Sequence, residues 1–267
     1  MKKVLLVIFV LSGIAASAQK AIKKERKGEF YFSWGYNKEW YTHSNIHVKQ
    51  AELGNDYTFL GVKAHDHPGW DEGLLNMALS IPQYNYRIGY FFNKKKNLGL
   101  EINFDHTKYI FQEQQVRLKG TLNNRHVDTL IDFRVDSGFN YYLNNGANFL
   151  LFNIVKRWNL YKSNADNFKL DGLGKLGIGP VIPHVQNTLF HQANQQGFQL
   201  GGWNVGIEYA LRATFHKYVY LELCGKVDWA SYSNLKVYKG TARQRFGTLE
   251  MILNLGFTFP TGKVLKK

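Results

Sequence analysis

The stretch WNVGIEYALRATFH, residues 203–216, holds two sequences interleaved at period two. Val205, Ile207, Tyr209, Leu211, Ala213 and Phe215 form one; Asn204, Gly206, Glu208, Ala210, Arg212, Thr214 and His216 form the other. Successive side chains of a strand point to opposite faces, so this reads as a long strand with an apolar and a polar face. The alternation recurs in EFYFSWGYN (29–37), QYNYRIGYFF (83–92), LGLEINFD (98–105), VYLELCGKVDW (219–229) and TLEMILNLGFTF (248–259). Soluble sandwiches alternate too, but their polar faces meet water and carry exposed charge. Here the polar faces carry Gly, Asn, Thr and balanced ions such as Glu208 with Arg212 and Glu222 with Lys226. That composition suits the narrow interior of a barrel whose apolar outside meets lipid.

Turn lengths and aromatic residues support one orientation. With both chain ends at one rim, the short connections NKKKN (93–97), KSNADN (162–167) and HK (216–217) fall at that rim. The longer connections 38–80, 112–148, 184–202 and 235–245 fall at the other, the expected asymmetry of periplasmic turns and extracellular loops. Trp34, Tyr36, Tyr84, Trp203 and Trp229 then make an outer aromatic girdle. Phe30, Tyr90, Phe92, Trp158, Tyr161, Phe215, Tyr218, Phe257 and Phe259 make an inner one. The fold class is all-β: a transmembrane antiparallel up-and-down β-barrel of about eight strands with long extracellular loops. The strands are expected at about 28–37, 81–92, 98–111, 149–161, 168–182, 203–216, 218–234 and 246–259. Segments 54–64 and 114–134 also read as strands and are taken as hairpins above the membrane; if they span, the count is ten. FLLFNIVKRWNLY (149–161) leaves Lys156 on the lipid face unless a bulge resets the phase. Pro180 and Pro183 are expected to fray or bend the outer end of their strand.

The chain begins with Lys2 and Lys3, an apolar run VLLVIFVLSGIAA (4–16) and the cleavage pattern Ala16-Ser17-Ala18. This is read as a secretory signal peptide over 1–18, cut before Gln19. The expected organisation continues with a flexible stub (19–27), the barrel (28–259) and a C-terminal tail (260–267). The expected location is the outer membrane of a Gram-negative bacterium. A single cysteine, Cys224, excludes an internal disulfide framework. The formal charge of +14 over 267 residues favours anionic partners: lipopolysaccharide phosphates, acidic glycans or anionic lipid. No motif supports nucleic-acid binding.

The pattern over 28–259 resembles the small outer-membrane β-barrels of Gram-negative bacteria. FYFSWGYN, IPQYNYRIGYFF and DHTKYI resemble segments of barrels of the Bacteroidota type, a resemblance that implies no particular activity. The closing strand LNLGFTF is similar to the signal read by barrel assembly machinery, although PTGKVLKK follows Phe259. The resemblance implies a monomer in contact with membrane lipids.

An eight-stranded barrel is filled by its own side chains. The inward ions Glu29, Arg87, Glu101, Asp105, Arg157, Asp171, Lys175, Glu208, Arg212, Glu222, Lys226, Asp228 and Glu250 are therefore expected to form a salt-bridged plug, because buried charges need partners. Three candidate sites stand beside that reading. In DHTKYI, Asp105 and His106 would orient a catalytic imidazole. ASYSN (230–234) resembles the His-x-Ser pair of lipid A deacylase barrels, with Ser233 at the nucleophile's position but Ser231 in place of the base. His43, His47, His65 and His67 cluster in the first outer loop with Asp66 as a candidate metal site, at a spacing that matches no strong zinc motif. No cofactor is expected. The function read from the sequence is structural or surface-interacting: envelope anchoring, adhesion or lipopolysaccharide contact. A lipid-modifying enzyme at the outer interface and a small passive, porin-like pore are the alternatives.

Overall fold

The computed structural model describes residues 26–67, 83–93, 96–143, 146–165 and 167–264. The signal peptide lies outside these residues, as do most of the stub and part of the NKKKN turn. In chain order the first strands are β1 (Arg26–Tyr41), β2 (Ser44–Gln50), β3 (Asn55–Val62), β4 (Ala64–His65), β5 (Tyr84–Asn93), β6 (Leu98–His106), β7 (Tyr109–Phe111), β8 (Gln114–Leu122) and β9 (Arg125–Phe133). There follow β10 (Asn140–Leu143), β11 (Phe149–Lys162), β12 (Phe168–Val181), β13 (His184–Leu189), β14 (Gln192–Ala193), β15 (Gly197–Phe198), β16 (Gly202–Phe215), β17 (Val219–Val237) and β18 (Gly240–Val264).

Eight of these close a ring, β1-β5-β6-β11-β12-β16-β17-β18, and β18 pairs back onto β1. The total number of strands exceeds the expected eight because the long connections are themselves β-structure. β2, β3, β8 and β9 extend the sheet from the upper end of β18, and β14, β13, β10, β7 and β4 form a second sheet. Segments 54–64 and 114–134 do not span; they lie in this outer assembly.

The register fixes the barrel's shape. Stepping sideways from Phe257 through Phe32, Ile88, Ile102, Phe152, Ile178, Val205 and Trp229 returns to β18 at Gly247, ten residues further up the strand. With eight strands, that stagger tilts them by about 41° to the axis, so each residue climbs about 2.5 Å and each sideways step about 3 Å. Tyr90 and Trp158 then stand within about 3 Å of the level of Phe257, and Trp40, Trp203 and Trp229 about 22–24 Å above it. This matches the apolar band of about 25 Å expected between aromatic girdles. Three members of the expected outer girdle change place. Trp34 rises only about 8 Å, Tyr36 about 13 Å and Tyr84 about 16 Å above Phe257, because the stagger lowers β1 and β5 relative to β16 and β17. Trp40 takes their level at the rim.

Other corrections are local. The stub and the tail are shorter than expected, since β1 begins at Arg26 and β18 runs to Val264, with Gly28 opposite Thr261. The fourth outer connection is no loop: β17 and β18 continue to a tight turn at Tyr238 and Lys239. The strand beginning at Leu98 stops at His106 and resumes separately as β7. Lys156 does point outward, since the β11 bulge falls below it between Asn159 and Tyr161. Its Nζ reaches the Lys96 carbonyl at the short-turn rim (2.6 Å), so the ammonium leaves the apolar band while its stem stays in it. Pro180 does not fray β12 on the β16 side, where it sits opposite Trp203.

Above the barrel, the two outer sheets enclose a core of their own. Ile46, Val48, Tyr57, Phe59, Val116, Leu118, Phe133, Phe139 and Tyr141 are buried there, together with Phe149, Tyr232 and Phe246 from the barrel strands. Burial pushes the phenols of Tyr57 and Tyr141 up. The long connections thus fold into a packed domain seated on the barrel mouth.

Candidate functional site

Inside the barrel, all thirteen ions expected to point inward are buried. They form tiers. At the centre, Lys175 Nζ lies 3.1 Å from Glu101, 2.9 Å from Glu208 and 3.0 Å from Glu222, one carboxylate for each of its three protons. Arg87 Nη1 bridges Glu101 (3.1 Å) and Glu208 (2.8 Å). Arg212 donates from Nε to Glu222 (2.5 Å), with its guanidinium over the rings of Tyr31 and Tyr220 at 4.4 and 4.0 Å. Near the short-turn rim Arg157 pairs with Glu29 at 2.5 Å. Toward the other mouth Lys226 pairs with Asp105 and with Glu250 (2.8 Å). The interior is a filled ionic core. Glu208, Glu222 and Cys224 bring ligand atoms within 4.8 Å of one another, but both carboxylates are already engaged by Lys175.

The catalytic candidates do not converge. Asp105 faces inward to Lys226. His106 faces outward from the same strand, stacks on Tyr84 (4.6 Å between ring centres) and has Nδ1 2.8 Å from Asn148 Oδ1. Ser233 is exposed at a bulge in β17, which stands opposite β6 across the ring. The four loop histidines do not assemble either. His47 Nε2 is 2.7 Å from Asp56, and His43 and His65 are exposed. Among the described residues, the Glu208, Glu222 and Cys224 group is the only one with metal-ligand proximity.

Two residues that the sequence reading did not place in the plug prove structural. Glu39 is buried on the inner face of β1, and its backbone N–H donates to Asp66 Oδ2 (2.7 Å). Asp66 Oδ1 also accepts from Lys38 Nζ (2.7 Å), which pins the first outer connection to the barrel rim. The HisAspHis stretch therefore contributes its aspartate, not a metal site.

The outer face of the upper sheet is lined by polar and charged side chains. Cross-strand register aligns Lys236, Thr241, Lys49, Asp56, Thr121 and His126 in one row across β17, β18, β2, β3, β8 and β9. A second row holds Arg243, His47, Thr58, Lys119 and Asp128. Arg117 forms a bidentate pair with Asp128 (2.6 and 2.8 Å). Lys49, Lys119, Lys236, Arg243 and Arg245 are exposed and have no ion-pair partner among the described residues. This basic face continues upward from the lipid-facing wall of β17 and β18.

No protein-family model matches the sequence, and no curated protein matches it. Solved structures similar to it include outer-membrane proteins. The attachment invasion locus protein Ail of Yersinia pestis, in complex with the heparin analogue sucrose octasulfate, is 16% identical over 87% of this chain and 99% of its own, with a TM-score of 0.33. The outer membrane protease OmpT of Escherichia coli is 11% identical over 90% and 99%, at 0.41. The outer membrane protein OprG of Pseudomonas aeruginosa is 10% identical over 90% and 100%, at 0.38.

Proposed function

We propose that this chain is an outer-membrane anchor that presents a folded cationic domain at the cell surface, where it contacts anionic polymers of the envelope or its surroundings. The carrying observation is the basic sheet face: five exposed lysines and arginines on β17, β18, β2 and β8 of one sheet, none in an ion pair among the described residues. A sheet fixes their spacing, so a repeating polyanion meets several at once without ordering a loop first. The ionic filling of the barrel supports an anchoring role over a pore. The separation of Ser233 from His106 removes the main support for a lipid-modifying enzyme.

Binding of the refolded protein in nanodiscs to a heparin-type sulfated polysaccharide tests this reading. Saturable binding that weakens as salt is raised is expected, because the contacts are exposed charges. Lys49→Glu with Lys119→Glu should weaken it further. Absence of wild-type binding at low ionic strength would refute the proposal.

A further inference from the structure

We propose that the upper ends of β16, β17 and β18 form a seat for one phosphorylated glycolipid of the outer leaflet, with its acyl chains against the barrel wall and its phosphate on Arg245 and Arg243. The inference rests on the surface-anchor reading and names a specific lipid ligand for one part of that surface.

Height is the first argument. Arg245 stands on the outward face of β18 about 30 Å above Phe257, some 7 Å above the Trp203 and Trp229 girdle, and Arg243 one pleat higher. This is the layer where lipid headgroups begin. Geometry is the second. Trp203, Ser231 and Arg245 are in register across three strands. Arg245 Nε donates to Ser231 Oγ (3.2 Å), which holds the guanidinium against the wall and leaves its two terminal nitrogens for an anion.

Apolar exposure is the third. Leu200 is 74% and Phe198 62% exposed beside Trp203, more than most residues of the apolar band, and they lie above its girdle. The segment carrying them is held firmly. Gly201 N–H donates to Val181 O (3.0 Å), Ser233 N–H to Gly201 O (2.6 Å), and Gln199 Nε2 to Asn234 O (2.8 Å). Large apolar side chains exposed on the connection into β16, with β17 between them and the two cations of β18, fit an amphiphile with an anionic head better than a soluble polyanion, which would gain nothing from them. Availability is the fourth. On the neighbouring strand β1 the outward cation Lys38 is already taken by Asp66, whereas Arg243 and Arg245 have no ion-pair partner among the described residues.

The test uses the full mature protein in nanodiscs doped with bisphosphorylated or dephosphorylated lipid A, with retained lipid read by native mass spectrometry. The bisphosphorylated form should be retained one per protein. Retention should fall about tenfold or more without the phosphates or in Arg243→Gln/Arg245→Gln, the scale of one lost charge-assisted hydrogen bond. Leu200→Ser/Phe198→Ser should lower retention while leaving inorganic pyrophosphate unable to compete. Lys49→Glu/Lys119→Glu should leave lipid retention unchanged. Heat-modifiable gel migration verifies that each variant is folded. Equal retention of both lipids, no loss in the arginine variant, or full competition by pyrophosphate would overturn the seat. If polysaccharide binding persists in that case, the seat alone fails; if the wild type binds neither ligand, the surface reading fails with it.

Discussion

Replacing Lys175 with Met tests whether the barrel is held by a closed ionic core. At its centre three cations, Arg87, Lys175 and Arg212, face three carboxylates, Glu101, Glu208 and Glu222. Lys175 and Arg87 have no exposed side-chain surface, and Glu101 and Glu222 have none either. Removing Lys175 leaves three buried carboxylates sharing two guanidiniums. Breaking a buried pair in this way costs about 3–5 kcal/mol, because the stranded charge retains its desolvation penalty. Lys175→Met/Glu208→Gln removes one charge of each sign and leaves two intact pairs, Arg87 with Glu101 (3.1 Å) and Arg212 with Glu222 (2.5 Å). The double variant should therefore recover most of the loss, to within about 1–2 kcal/mol of wild type, since a balanced core is close to neutral against an uncharged one. Urea unfolding of the barrel from lipid vesicles, followed by tryptophan fluorescence, measures both. The reasoning is refuted if the single variant costs less than about 1 kcal/mol, or if the double is no more stable than the single.

Phe59→Ala removes a ring packed against Phe133 (4.8 Å) and Tyr57 (5.2 Å) in the outer core, and should cost about 3–5 kcal/mol. Limited proteolysis should then cut the outer domain while the barrel keeps its heat-modifiable migration. Gly89→Ala should destabilise the barrel by about 1–3 kcal/mol in the same urea assay. Its Cβ would come 2.1 Å from Tyr31 Cζ, in a ring fixed by its hydrogen bond to Glu101 (2.8 Å) and by Arg212. Planar-bilayer recordings of the wild type should show no discrete conductance; stepwise openings would contradict the filled interior. In single-tryptophan variants, bilayer lipids brominated deep in the chain should quench Trp34 more than Trp203 or Trp229, and equal quenching would contradict the stagger.

Alternation made the barrel legible, because which face a residue takes depends only on parity along its own strand. The inward ions and the outward Lys156 follow from it directly. Height in the membrane does not, since it depends on which residue of the next strand stands opposite. Trp34 and Trp229 are both outward aromatics, yet the ten-residue stagger sets them about 14 Å apart in depth. The candidate sites failed for a related reason. Asp105 and His106 are neighbours in sequence, and the same parity rule sends them to opposite faces. His106 and Ser233 are separated by half the ring, which no spacing within the chain reports.

The outer domain was hidden by an inversion. Along β18 the outward positions run Leu255, Leu253, Met251, Leu249, then Gly247, then Arg245 and Arg243. The inward positions run Asn254, Ile252, Glu250, Thr248, then Phe246, Gln244 and Ala242, of which Phe246 and Ala242 join the outer core. β17 does the same, with Lys226 and Asp228 inside giving way to Ala230, Tyr232 and Leu235. Parity is kept up to the bulge near Ser233, but the polarity of the two faces is exchanged. A scan for one apolar face sees the pattern end there, so the sequence reading stops β17 at 234 and starts β18 at 246, short of the observed ends. Physically, the exchange marks where the medium outside the wall changes from hydrocarbon to water while the inside changes from an ionic plug to a packed core. It falls between Gly247 and Arg245, about 25–30 Å above Phe257. That places the outer membrane surface just above the tryptophan girdle without reference to the aromatic residues, and both features agree on it.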